Sequence, residues 1–257
     1  MSTVAVDPRI RQRRVAVARD AGRRRLRRLL LVAAVLAVVL VALGLTWTPA
    51  LDVEQVEVRG ADRTSPESVA EAADVAPGDP LAWFDTDAAA AAVAALPWVA
   101  EATVERAWSG AVTVEINERV AVAALATTDG TWSLADGSGR VLATVDAQPT
   151  DLPSVDGVTT SAPPGAQLDD QVLEALTVAA AVPSGLRPEV AAVQGTGGDL
   201  EVALRSGGVI LLGGAEDAAA KLASAAAVLA TVTPGCVDRL DVTLPAAPAL
   251  VRVAGCV

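Results

Sequence analysis

Nineteen consecutive residues, Leu29–Trp47, read LLLVAAVLAVVLVALGLTW and carry no formal charge. At about 1.5 Å of rise per residue, a helix over this stretch is about 28 Å long, the thickness of a bilayer's hydrocarbon core. A buried core helix would keep a polar face, and none is present. A cleaved signal would have a shorter apolar core and a small-residue cleavage site, which Thr48-Pro49-Ala50 does not supply. The pattern predicts one retained transmembrane helix over residues 29–48, stopped by Pro49.

Beyond Pro49 the period changes. In Val53–Arg59, Val56 and Val58 alternate with Glu57 and Arg59, which predicts a strand ended by Gly60. Thr64 or Ser65 offers a helix cap before Pro66, and the helix runs to Ala73 with Val69 inward. A second helix is expected from Thr86 to Leu96, capped by Asp85 and ended by Pro97. Ala102–Ala107 and Ala111–Glu118 then read as strands around Ser109-Gly110, with Val112, Val114 and Ile116 on a buried face. The order so far is β-α-α-β-β.

Strand-like runs recur after Val120. Trp132–Ala135 and Arg140–Thr144 flank the glycine-rich turn Asp136-Gly-Ser-Gly139, and residues 157–165 read as an exposed loop. Leu168–Ala181 predicts a helix. Val190–Gln194, Leu200–Leu204 and Val209–Leu212 predict strands, Asp217–Val228 a helix, and Arg239–Leu244 a last strand closed by Pro245. The fold class expected is α+β: a single N-terminal membrane helix, a β-α-α-β-β domain, and a mainly antiparallel β domain with helices.

Charge fixes the orientation. Ten arginines and two acids precede the apolar stretch, a balance of +8, whereas the remainder carries −19. Cytoplasmic flanks hold the Lys/Arg excess, so residues 1–28 are expected inside as a basic tail and residues 49–257 outside. The outer part is too acidic to hold nucleic acid by charge. Cys236 and Cys256 both fall outside, where disulfides persist. Joined, they would close a loop of about 20 residues, worth about 3 kcal/mol in the chain-entropy model; unjoined, they are two small core residues.

The chain has no histidine and no tyrosine, and its one lysine is Lys221. That removes histidine triads, most metal sites and the commonest general base. Gly195-Thr-Gly-Gly198 lacks the following GKS/T of a phosphate loop and reads as a hairpin turn. Ser138 lacks a nucleophile elbow, and position 218 is alanine, so no SxxK precedes Lys221. No enzyme activity, cofactor or metal is expected.

Several pieces in order carry a resemblance. Val56-Glu-Val-Arg-Gly60, Leu96-Pro-Trp-Val99, Ala102-Thr-Val-Glu-Arg106, Trp108 and Val114-Glu-Ile-Asn-Glu-Arg119, directly behind an N-in anchor, resemble the FtsQ/DivIB family of bacterial cell-division proteins. Gly213-Gly214, the helix with Lys221 and Leu222, and Leu240-Asp-Val-Thr-Leu-Pro245 stand in the order of that family's C-terminal β domain. One departure is Ala121, where the family often carries proline.

The resemblance implies a POTRA domain over 51–120, a β domain over 121–252 and a C-terminal tail at 253–257. It implies a non-enzymatic division scaffold at the septum of the cytoplasmic membrane, linking division proteins to septal peptidoglycan synthesis. It also implies FtsB/DivIC-like and FtsL-like partners, with other division proteins at the POTRA domain. The expected partner edge is Leu240, Asp241, Val242, Thr243 and Leu244, with Leu240 and Val242 toward the core. A POTRA-type polypeptide-binding chaperone would use the same edges, but it comes as several repeats or with a membrane barrel, and neither is in the sequence.

Overall fold

The computed structural model describes residues 27–41, 44, 52–196, 198–233 and 235–256. Residues 27–41 form helix α1, exposed throughout. The rest of the expected span Leu29–Trp47, other than Gly44, and the tail before Arg27 lie outside the described residues. Among the described residues no helix is long and apolar enough to cross a membrane.

By their internal contacts, the described residues divide into two compact units, one holding 52–56, 76–85 and 106–112 with the N-terminal residues, the other holding the remainder. In the first, Val53 N–H donates to Asp79 O and Gly78 N–H donates to Val53 O, both at 2.8 Å. A 3-10 turn, Leu81–Trp83, follows on a fully buried Leu81.

From Gln55 to Glu118 the elements run β1 (Gln55–Arg59), α2 (Pro66–Ala72), α3 (Thr86–Ala94), β2 (Val99–Ala107) and β3 (Ala111–Glu118), with sheet order β1-β3-β2. This is the expected β-α-α-β-β order. Of the two candidate caps before α2, Ser65 is the one used: its hydroxyl accepts from Ser68 N–H at 3.1 Å, with Pro66 in the first turn. Val69, Val93, Val112, Val114 and Ile116 are buried, as the alternation and helical spacing require.

The second half continues with β4 (Ala121–Thr127), β5 (Trp132–Asp136), β6 (Val141–Val145), β7 (Ser154–Thr160), α4 (Asp170–Ala181), β8 (Val190–Thr196), β9 (Asp199–Leu204), β10 (Val209–Gly213), α5 (Ala218–Leu229), β11 (Val237–Asp241) and β12 (Ala249–Arg252). The nine strands β4 to β12 form one sheet in the order β12-β11-β10-β9-β8-β7-β4-β5-β6. Most neighbours are antiparallel, but β4–β7, β7–β8 and β10–β11 are parallel, so the sheet is mixed. The last two parallel pairs follow from topology: α4 and α5 are crossovers, which parallel neighbours need.

Both helices pack into one core with Leu125, Val155, Val193, Val202, Ile210, Leu212 and Leu240. The opposite face carries a smaller cluster of Ala124, Leu134, Leu142 and Leu152. Residues 157–165, expected as a loop, instead begin within β7. Only Ser154 and Val155 of that strand are buried, so its pairing comes from the strands on either side rather than from its own pattern. Gly195 and Thr196 pair with Leu200 and Asp199, making the glycine-rich run a hairpin turn.

Candidate partner-binding edge

Sheet order decides which backbone groups are left for a partner. The expected edge, Leu240–Leu244, is not one. β11 ends at Asp241 and is paired on both sides, parallel to β10 (Ile210 opposite Leu240) and antiparallel to β12 (Leu250 opposite Leu240). Val242 N–H donates to Leu211 O at 3.0 Å, and Leu240 and Val242 are fully buried. Their inward orientation agrees with the alternation; their place at the rim does not. Asp241 and Thr243 lie on the outer side, where the Asp241 carboxylate accepts from Thr243 N–H (2.9 Å) and Oγ1 (2.7 Å). Those two bonds hold Asp241 below the usual carboxylate range and end the strand in an Asx-type turn. Leu244, the last residue of the expected strand, is 68 % exposed.

The residues after Pro245 correct the picture. Ala247 N–H donates to Leu244 O (3.0 Å), turning the chain back so that β12 lies on β11. The disulfide between Cys236 and Cys256, with Cα atoms 5.7 Å apart, closes the open end of this hairpin, and Val253 N–H donates to Cys236 O at 3.0 Å. Residues 253–256, expected as a separate tail, are thus bonded to the start of β11. Gly208 makes room for that start: at φ +86°, a Cβ there would sit 2.2 Å from Val237 O.

β12 is therefore an end of the nine-stranded sheet. Its register slips only on β11, where Asp238 is the extra residue between Val237–Arg252 and Arg239–Val251. On β12 the alternation is unbroken. Because Val253 N–H points to β11, the outward groups are those of Leu250 and Arg252. Leu250 packs on the core, while Val251 and Val253 are 51 % and 41 % exposed on the other face. The opposite end, β6, is partly covered: Val141 N–H donates to Ala166 O (2.9 Å) and Gly165 N–H to Val141 O (2.7 Å). β12 was missed because a four-residue strand between Pro248 and Ala254 gives little periodicity. The usable signal was the cysteine pair, which obliges the chain to fold back.

The Glu118-Arg119 pair serves structure. Glu118 accepts from the N–H groups of Arg63 (2.9 Å) and Thr64 (2.7 Å) ahead of α2. Desolvation raises its carboxyl, but those bonds outweigh it and hold it below its ordinary value. Arg119 donates Nε–H to Val99 O (2.9 Å) and pairs with Asp136 at 2.7 Å. Asp136 also accepts from Ser138 and from Arg140 N–H. Lys221 is buried, with Nζ donating to Gly214 O (3.0 Å) and Glu216 (3.2 Å), so it ties the loop before α5.

Two family models match in sequence: the FtsQ-type POTRA domain over residues 51–119, and the Cell division protein FtsQ/DivIB C-terminal domain over 123–243. Cell division protein FtsQ of Streptomyces collinus is 33% identical over 244 residues, 90% of each chain. FtsQ of Streptomyces coelicolor is 32% identical across 88% of each, and FtsQ of Mycolicibacterium smegmatis 39% identical over 65% of this chain and 48% of its own. Among solved structures, the major extracytoplasmic domain of DivIB from Geobacillus stearothermophilus aligns with TM-score 0.34 and 19% identity, covering 44% of this chain and 93% of that one. With FtsQ proteins about one-third identical along nine-tenths of its length and both domain models met in order, the chain belongs to the FtsQ/DivIB family of bacterial cell-division proteins.

Proposed function

We propose that this cell-division protein is a non-enzymatic scaffold, tethered by Leu29–Trp47 with residues 1–28 inside, which presents a POTRA domain (51–120) and a β domain (121–252) outside the cytoplasmic membrane at the septum. The charge step of +8 to −19 across the apolar stretch supports the tether and its direction. The partner site is the outer edge of β12 rather than 240–244. An FtsB/DivIC-like protein, accompanied by an FtsL-like one, adds a strand there, and other division proteins use the POTRA domain.

One observation carries this reading: among the described residues, β12 ends its sheet with an unpaired backbone edge flanked by exposed Val251 and Val253. A row of free N–H and C=O groups of this kind is what an added strand bonds to. A photo-crosslinking amino acid at Val251, placed in the full chain in dividing cells, is expected to trap an FtsB/DivIC-like protein. Adducts from Val145 of β6 with none from Val251 would overturn the assignment.

A further inference from the structure

Two of the protein's few aromatic residues stand out to solvent in the same compact unit. Trp83 is 59 % and Trp108 62 % exposed, whereas Trp98 and Trp132 are half-buried. Arg106 joins the two. Its Nη1 donates to Leu81 O (3.0 Å) and Phe84 O (2.8 Å), in the turn that carries Trp83, and its guanidinium carbon lies 5.2 Å from the centre of the Trp108 ring. With Leu81 buried beneath, both indoles stand on a fixed base.

This base is also tied to the start of the extracytoplasmic part. Asp52 bridges Pro80, and Val53 pairs with Asp79 and Gly78. Asp52 is five residues after Trp47, and five residues reach at most about 18 Å when fully extended. The turn bearing Trp83 is thereby kept within a short reach of the membrane surface.

We propose that Trp83 and Trp108 rest in the headgroup layer of the bilayer, forming a foot that holds this unit against the membrane; this rests on the reading of Leu29–Trp47 as the tether. An indole suits that layer because its ring is apolar and its N–H finds partners among headgroups and water. Charge does not drive the contact. Among residues 52–56, 76–85 and 106–112, Asp52, Glu54, Asp79 and Asp85 face the one cation Arg106, so an anionic surface repels this unit. The matching partner is a neutral, zwitterionic lipid surface, and the contact is insensitive to salt.

The test uses the full chain in phosphatidylcholine nanodiscs doped with headgroup-spin-labelled lipid, reading quenched tryptophan emission. The chain holds five tryptophans, and Trp47, Trp83 and Trp108 are expected to be quenched. In the W83F/W108F double variant, which keeps an aromatic ring beside Arg106 at position 108, quenching should fall from that of three indoles to that of one. W132F should leave it unchanged, as should high salt. If Trp47 is quenched while the double variant matches the unsubstituted chain, the foot is overturned and the indoles belong to a protein-docking face. Quenching that collapses in high salt overturns the neutral-surface assignment. A chain that does not enter the disc, with no quenching in either form, sinks the tether and the foot together.

Discussion

The replacement Arg252→Pro separates the proposed β12 edge from the rest of the sheet. The Arg252 N–H points away from β11, because Val253 N–H is spent on Cys236 O and β12 alternates without a slip. Proline there removes one donor from the outer edge and leaves the β11 ladder alone, in a position where edge strands tolerate it. An added partner strand loses one backbone hydrogen bond, about 1 kcal/mol net. It also meets the ring where the donor had been. Together these weaken binding by about tenfold or more, equivalent to about 1.4 kcal/mol. Arg252→Ala keeps the N–H and loses only an exposed side chain, so its effect stays within about 0.5 kcal/mol. Val251→Pro instead strips a donor facing β11 and should destabilise the hairpin itself. The assay is anisotropy titration of a labelled FtsB/DivIC-like peptide against the full chain in nanodiscs, with thermal melts in parallel. Equal binding by the Pro and Ala variants, both still folded, would refute strand addition at β12.

Val242→Pro is expected to abolish the cooperative melt rather than binding alone. It removes the buried Val242 N–H to Leu211 O bond and forces a ring into a fully buried site, a cost of about 3 kcal/mol or more. An intact melt would show that Val242 is not interior. Cys236→Ser with Cys256→Ser should cost about 3 kcal/mol for the loop of 20 residues that the bond closes, read by denaturant melts without reductant; an unchanged midpoint would contradict it. Acidification should destabilise the protein in a defined window. Glu118, Asp136 and Asp241 are held below their ordinary values, and Asp129, bonded by Thr127 and Thr131, is held at about 2. Depressed carboxyls stabilise the fold fully above their unfolded values, near 4.5 for Glu and 3.8 for Asp, and lose that effect as pH falls through the folded ones. The melting temperature should therefore be flat with respect to these groups above about pH 5 and drop toward pH 2, less steeply in Asp136→Asn. A flat acid limb would argue against these bonds.

What the sequence made legible divides by the range over which each element is specified. β3 was readable because Val112, Val114 and Ile116 are buried by local alternation, and α2 because Ser65 and Pro66 mark its start. β7 was not, because Asp156 and Gly157 break any pattern and its strand character is imposed by β4 and β8. The parallel pairs were hidden for a related reason: direction depends on where a crossover helix returns the chain, which no local period records. At the candidate edge, the faces of Leu240 and Val242 could be read but not their rank in the sheet. Alternation tells which side of a strand is buried, not whether another strand follows.

The rank of β11 inside the sheet also bears on how the proposed β12 edge is built. A docking strand must keep one row of backbone groups unpaired, yet a four-residue strand on one neighbour has few bonds to hold it. Here it is braced at both ends: the Leu244–Ala247 turn fixes where it begins, and the Cys236–Cys256 bond fixes where it ends. Bracing moves the ordering cost from the moment of binding to the moment of folding, which leaves more of each new hydrogen bond as affinity. A disulfide of this kind persists in an oxidising compartment, in keeping with the extracytoplasmic placement proposed from the charge step. On the proposed topology the arginine-rich flank and the cysteine pair serve the same proposed edge, one by orienting the chain and the other by closing the hairpin.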